Sequence, residues 1–421
     1  MLNLFYLILF LMPVNLAKHF PVPSSYVSGI LVDYLIPTLY LTDILIILLL
    51  IFWLLEKKTT TNCNGRYFQA LFLFLLCLLP SVIFAHSFIP ALYKYLRIIE
   101  FSLFGLWIYY HRLTLSPTIV VKSVTLAVLF QSLLAIGQWL RQSSLFGYWF
   151  FGEQPYNPAT PGIDKIIWLD GSLKIPPLAT FPHPNVLAGF LVIGLVFILQ
   201  GLSLKAFKDR PYWKIFLSLS LVLGLAALFL TFSLSAWLAF LLITVPFLLL
   251  SIYPKIKALM ISSGLILIVF SLSLRFSFLA PESSFSRRSQ LNKISWQMFL
   301  DRPLTGVGLN NFTATMEKYG YVTAATRFLQ PVHNIYLLIL SETGLFGLAG
   351  CLYLFFKGRS FANAKVPPYQ ISLFIVFFLG LFDHYFFTLQ QGLLLLTILL
   401  ACNKLQINYR IICPFPKKPK S

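Results

Sequence analysis

Charge is scarce along this chain. Asp, Glu, Lys and Arg make up 11% of its 421 residues, and only 13 side chains are acidic. A soluble surface uses about 25% charged residues, so an ordinary soluble globule is excluded. Cysteine is sparse too. Of the five, Cys63 and Cys413 fall in segments assigned below to the cytoplasm, and Cys77, Cys351 and Cys402 lie within or at the ends of apolar runs, so no external disulfide is expected. The chain also lacks the CxxC, HxxxH and acidic DxD patterns that hold zinc or magnesium. Chemistry that needs neither metal nor cofactor is the expectation.

Hydrophobic residues fill the space that charge leaves: they make 58% of the sequence, in recurring runs of about 20, the length that crosses a hydrocarbon core about 30 Å thick. That ruler gives twelve spans, at 2–17, 30–55, 68–89, 92–110, 117–140, 183–203, 212–231, 233–252, 258–278, 333–356, 369–386 and 388–404. The fold class expected is an all-α integral membrane protein. Leu2 to Ala17 has a short apolar core with neither a basic n-region nor a small-x-small cleavage site, and reads as a retained first span rather than a signal peptide. The net charge of +19 would suggest nucleic acid in a soluble chain, but its distribution has a simpler source. With the N-terminus inside, 19 of the 32 Lys and Arg residues fall in short cytoplasmic segments and 11 in external ones, as the positive-inside rule requires. Both termini are therefore expected in the cytoplasm, with the lipid bilayer as partner and no nucleic acid.

The chain then divides into N-terminal membrane helices (1–140), a first external loop (141–182), central membrane helices (183–280), a large external loop (281–332), C-terminal membrane helices (333–404) and a basic tail (405–421). Long extramembranous segments in a protein of short loops are where binding and chemistry concentrate. In the first loop Trp149, Tyr156 and Trp168 suit either stacking on sugar rings or anchorage at the membrane interface.

In the second loop, Ser283 or Ser284 can cap a helix in which Leu291, Ile294 and Met298 recur on one face, and Asp301-Arg302-Pro303 ends it, because proline disfavours helix just before itself. Arg287 and Arg288 in its first turns carry planar, permanently charged donors that suit phosphate, or alternatively form a solvated face or touch lipid head groups. Arg327 lies six residues before His333, which with Asn334 begins the tenth span. A histidine there is a polar cap or a catalyst. Glu342, nine residues on, stands at a costly depth for an ionisable group. Nine residues turn about 900°, so it faces away from His333 and reads as a structural partner for another helix. His183 and Asn185, flanked by Pro182 and Pro184, start the sixth span and read as a structural turn or glycan contact. Asp383 and His384, near the external end of the eleventh span, fix a helix interface or tune the site.

The strings GVGLNNF, HNIYLLILSETGLFGL and FDHYFFTLQQG, with TFPHPNVLAGF earlier in the chain, closely resemble the bacterial O-antigen ligase and O-antigen polymerase family of membrane glycosyltransferases. The likeness spans about 180–400, and its most specific part is HNxxLxxLxExGxxG. It implies a bundle of the glycosyltransferase type C class roofed by a large periplasmic loop in the bacterial inner membrane. It also implies transfer of a glycan from an undecaprenyl diphosphate carrier to a hydroxyl of a glycan or glycolipid acceptor. In that family the histidine of this motif is the proposed base, which falls on His333, and arginines of the large loop bind the diphosphate, which falls on Arg287, Arg288 and Arg327. The chemistry is coherent: diphosphate is a good leaving group that needs cations, whereas the acceptor hydroxyl needs a base. One departure stands out. Where the family shows TxSRxAW, this chain reads TFSLSAW, with Leu234 at the arginine position. A lipid-linked glycan transporter or flippase and a non-catalytic envelope assembly protein are the alternative readings.

Overall fold

The computed structural model describes residues 1–56, 65–168, 170–244, 246, 282–322, 327–358 and 368–402. These are mostly helical. In chain order the helices are α1 (Leu2–Leu11), α2 (Leu41–Leu55), α3 (Arg66–Ile83), α4 (Phe88–His111), α5 (Pro117–Arg141), α6 (Pro184–Ser203), α7 (Lys205–Lys208), α8 (Pro211–Leu230), α9 (Leu234–Ala239), α10 (Glu282–Asp301), α11 (Phe312–Thr315), α12 (Ile335–Gly358), α13 (Pro368–Leu379), α14 (Tyr385–Thr388) and α15 (Gln390–Cys402). Among them α5, α6, α8 and Ile335–Lys357 of α12 are long and apolar enough to cross a membrane.

The helices start where the sequence supplies a start. Pro117, Pro184 and Pro211 occupy first-turn positions in α5, α6 and α8, where the missing N–H costs nothing and the fixed φ is already helical. Glycine lets helices close: a Cβ on Gly194 would lie 2.2 Å from the Val128 side chain, and one on Gly224 2.8 Å from Leu195, so α5, α6 and α8 meet through small residues as membrane helices do. Three buried ionic side chains of the bundle, Arg97, Asp43 and Lys94, find polar partners. Arg97 on α4 holds both oxygens of Asp43 on α2 at 3.0 and 3.1 Å, and Gln390 on α15 donates to the same carboxylate at 2.6 Å. The ammonium of Lys94, also buried, donates to the carbonyls of Phe387 and Thr388. These bonds tie α2 and α4 to the turn that carries Asp383 and His384.

Several expected spans differ from the observed helices. The first, 2–17, is helical only to Leu11, about 15 Å of rise and half the thickness of a hydrocarbon core. The second, 30–55, becomes α-helical only at Leu41, after a single 3-10 turn at Asp33–Leu35. Residues 17–19 (β1) pair antiparallel with 38–40 (β4), and 26–27 (β2) with 30–31 (β3), so the apolar residues before Leu41 serve hairpins. Val27, Val32 and Leu35 form a small separate core against Ala314 and Leu329 of the large loop. A short apolar run does not distinguish these uses. Within the span 233–252, α9 is followed by a wider π turn, Phe240–Thr244; residues 245, 247–252 and 258–278 lie outside the described residues. The span 369–386 stops at Leu379. Ser283 and Ser284 are inside α10 rather than before it, so neither is its cap. The other end agrees with expectation: α10 closes at Asp301, and Leu291, Ile294 and Met298 are all buried against the bundle.

Candidate active site

The large loop is registered on α12 by backbone. The N–H groups of Val307 and Gly308 donate to the carbonyls of Ser341 and Glu342 (2.9 and 3.1 Å), and those of Leu345 and Phe346 donate to Pro303 and Leu304 (2.8 and 3.2 Å). This exchange requires α12 to break helical geometry at Gly344, φ 61°. Gly306 faces it at φ 66°, and a Cβ there would lie 2.3 Å from the Glu342 carbonyl carbon. Only glycine takes that conformation without strain and leaves room for the second backbone. The buried Glu342 carboxylate accepts from the N–H groups of Asn310 (2.9 Å) and Phe312 (3.1 Å). Its partner is the loop, not another helix.

That register delivers one polar cluster. Asn334 caps α12: its Oδ1 accepts from the N–H groups of Tyr336 and Leu337, both at 3.0 Å, and its amide donates to the Leu381 carbonyl at 3.2 Å. The capping role open to His333 is thus filled by its neighbour. The His333 ring meets that of His384 edge-on, centroids 5.2 Å apart, and its buried Nδ1 has no hydrogen-bond partner among the described residues. Burial holds His333 below the ordinary histidine range. The Asp383 carboxylate opposes this shift, while the charges of Arg288, His183 and Arg287 add to it. Arg288 donates to the Phe382 carbonyl at 3.2 Å, and Arg287 lies over the Phe328 ring at 5.3 Å.

The other two histidines of the cluster are engaged. His183 Nε2 lies 2.8 Å from Asp164 of the first loop, and its Nδ1 accepts from the Asn185 N–H at 3.1 Å. Burial works against charge on His183, yet the hydrogen bond and charge of Asp164, with Asp383 behind, raise it above the ordinary range; Arg288 opposes them. The Asp164 carboxyl is correspondingly lowered, first by its bond to His183. His384 Nδ1 lies 2.8 Å from the Thr388 hydroxyl, and the edge of Tyr34 covers its ring at 5.6 Å.

The structure therefore brings His333, Arg287, Arg288, His183, Asp383 and His384 together, and adds Asp164 and Tyr34, which no motif marked. Asp164 is one of three acidic residues in 141–182, and that scarcity is the signal that could have singled it out. Arg327 stands apart. Its guanidinium pairs with both Glu317 oxygens and donates to the Ser28 carbonyl at 3.3 Å. Leu234 begins α9 just after Phe232, a bulky residue held at φ 54°, and its aliphatic side chain offers no donor to phosphate. Of the first-loop aromatics, Tyr156 is buried, Trp149 is 89% exposed, and Trp168 packs against Trp139 and Phe232 at 5.2 and 5.9 Å.

No curated protein matches the chain. The sequence model of the family described as O-Antigen ligase matches residues 219–352, a stretch that runs from α8 through the large loop into α12 and contains Arg287, Arg288, Arg327, His333 and Glu342. Over that stretch, about a third of its length, the chain is similar to the O-antigen ligase family.

Proposed function

We propose that the cluster transfers a glycan from an undecaprenyl diphosphate carrier to an acceptor hydroxyl on the external face of the inner membrane, with His333 as general base. The observation that carries this reading is the division of labour among the histidines. His183 uses both ring nitrogens in hydrogen bonds. His384, bonded to Thr388, is pushed by burial down to about 3, too weak a base at neutral pH. His333, in contrast, has a nitrogen uncommitted and a smaller lowering that keeps it neutral at physiological pH. A neutral imidazole next to permanent cations is what the reaction needs: a proton acceptor for the attacking hydroxyl and positive charge for the departing diphosphate. Arg287 and Arg288 supply that charge. Arg327, already held by Glu317, serves the loop before it serves the donor. Asp383 and His384 set the field and packing around His333.

The assignment of sides rests on Lys and Arg placement, and contacts between segments it puts outside agree with it, Arg327 with Ser28 and Trp168 with Phe232. Cysteines introduced at Ser172 and Ser289 should accordingly react with an impermeant thiol reagent from outside, and one at Ser360 should not. For the chemistry, the test is turnover of purified protein on an undecaprenyl diphosphate glycan. Proton transfer to a positioned base contributes about 10²- to 10⁴-fold, so His333→Ala should lose turnover on that scale while retaining donor. A fully active His333→Asn enzyme would refute the assignment.

A further inference from the structure

A second set of cations lies at the opposite end of α10. Arg302, just past its last turn, donates to the Phe84 carbonyl at 3.1 Å, and Lys318 Nζ lies 3.4 Å from His86 Nδ1. The backbone N–H of His86 in turn donates to the Val307 carbonyl at 3.1 Å. The α3–α4 turn and the large loop thus place three basic side chains in one exposed corner. The carboxylates adjacent in sequence have other partners: Asp301 accepts from the Tyr319 hydroxyl at 2.6 Å, and Glu317 is held by Arg327. The imidazole of His86 registers the imbalance, lowered by burial and then by Lys318 and Arg302, with no carboxylate acting to raise it.

The rim of this corner is apolar. Ile83, Phe84, Phe88, Leu304, Leu345 and Phe346 are all exposed, and the backbone bonds of Leu345 to Pro303 and Phe346 to Leu304 put those of α12 beside Arg302. Cations without an ion pair among the described residues, above an exposed apolar rim, match the phosphate and acyl chains of a lipid at the membrane surface. The site is separate from the catalytic cluster. Fourteen residues part Arg288 from Arg302, about 21 Å along a helix, which a single diphosphate cannot span.

We propose that Arg302, Lys318 and His86 bind the phosphate head group of a membrane lipid other than the glycan donor, and that this lipid braces the large loop against the α3–α4 turn. The experiment is native mass spectrometry of the full-length protein purified with phosphatidylglycerol. Wild type should retain the lipid, and Arg302→Gln/Lys318→Gln should lose it by about tenfold or more, since two charge-assisted contacts are removed. Lys293→Gln/Lys165→Gln, which removes the same charge elsewhere, should retain it, as should Arg302→Lys/Lys318→Arg, which also shows that the corner still folds. Equal retention by wild type and the Arg302→Gln/Lys318→Gln protein would overturn the proposal. So would displacement of the lipid by millimolar inorganic phosphate, which would make the corner a site for the free anion instead.

Discussion

Both long loops are organised around a buried carboxylate that gathers backbone N–H groups, but the two carboxylates stand on different foundations. In the first loop Glu153 accepts from the N–H groups of Leu145, Phe146 and Gly147 at 2.7–2.8 Å and from the Gln138 side chain at 2.8 Å. It belongs to the loop it folds. In the second, Glu342 holds Asn310 and Phe312 from α12, the helix that begins two residues after His333 and breaks at Gly344. The first loop folds around its own carboxylate, packs on the N-terminal segment and α5, and among the described residues meets the cluster through Asp164, whereas the second is registered on α12, directly after His333. Disturbing the first should cost stability, and disturbing the second should cost geometry at His333.

The largest expected effect sharpens that contrast at the functional end. Arg287→Ala/Arg288→Ala removes two charged donors worth about 1.5–3 kcal/mol each, so transfer should fall about 10²- to 10⁴-fold with protein abundance unchanged. Lysine replacements should recover part of it, because charge returns without the planar fork. Turnover assays beside quantitative blotting check both outcomes.

Next come the two glutamates. Glu342→Gln and Glu153→Gln each leave buried N–H groups imperfectly paired, a loss of about 1–3 kcal/mol that thermal unfolding should register in both. Only Glu342→Gln should also lower turnover measured well below the unfolding temperature. Equal turnover losses would erase the distinction between the loops.

The smallest effect belongs to the exposed His183–Asp164 pair, where about 0.2–1 kcal/mol is typical of such contacts. The His183 pKa is raised and that of Asp164 lowered. The pair's contribution is therefore greatest between the two values, fading as pH rises through the folded His183 value and as it falls through the folded Asp164 value. Limited proteolysis of 141–182 should follow that window in wild type, and Asp164→Asn should flatten it.

Much of this arrangement is legible in the residues, where local chemistry decides. Pro303 ends α10, and the Leu291, Ile294 and Met298 face is buried. The HN pair opens α12, although Asn334 rather than His333 caps it. What local pattern cannot supply is tertiary pairing. Ile30 to Ile36 satisfy a membrane ruler and a hairpin equally well, and long-range pairing of 17–19 with 38–40 decides the matter. Nothing near Asp164 announces His183, nothing near Glu317 announces Arg327, and the meeting of His333 with His384 depends on a chain reversal 51 residues on. The role of Glu342 was half legible: its depth marked it as structural, but its partners are backbone groups, which carry no sequence signature.

The pH dependence of kcat/KM tests the central claim most directly, because it reports the protonation of the free enzyme's base. If His333 is that base, activity should fall on the acid side with a midpoint below the ordinary histidine value of about 6.5, and Arg288→Gln should move the midpoint upward by removing a charge that lowers it. An acid limb that lies above that value, or one that ignores both Arg288→Gln and His333→Asn, would place the base elsewhere.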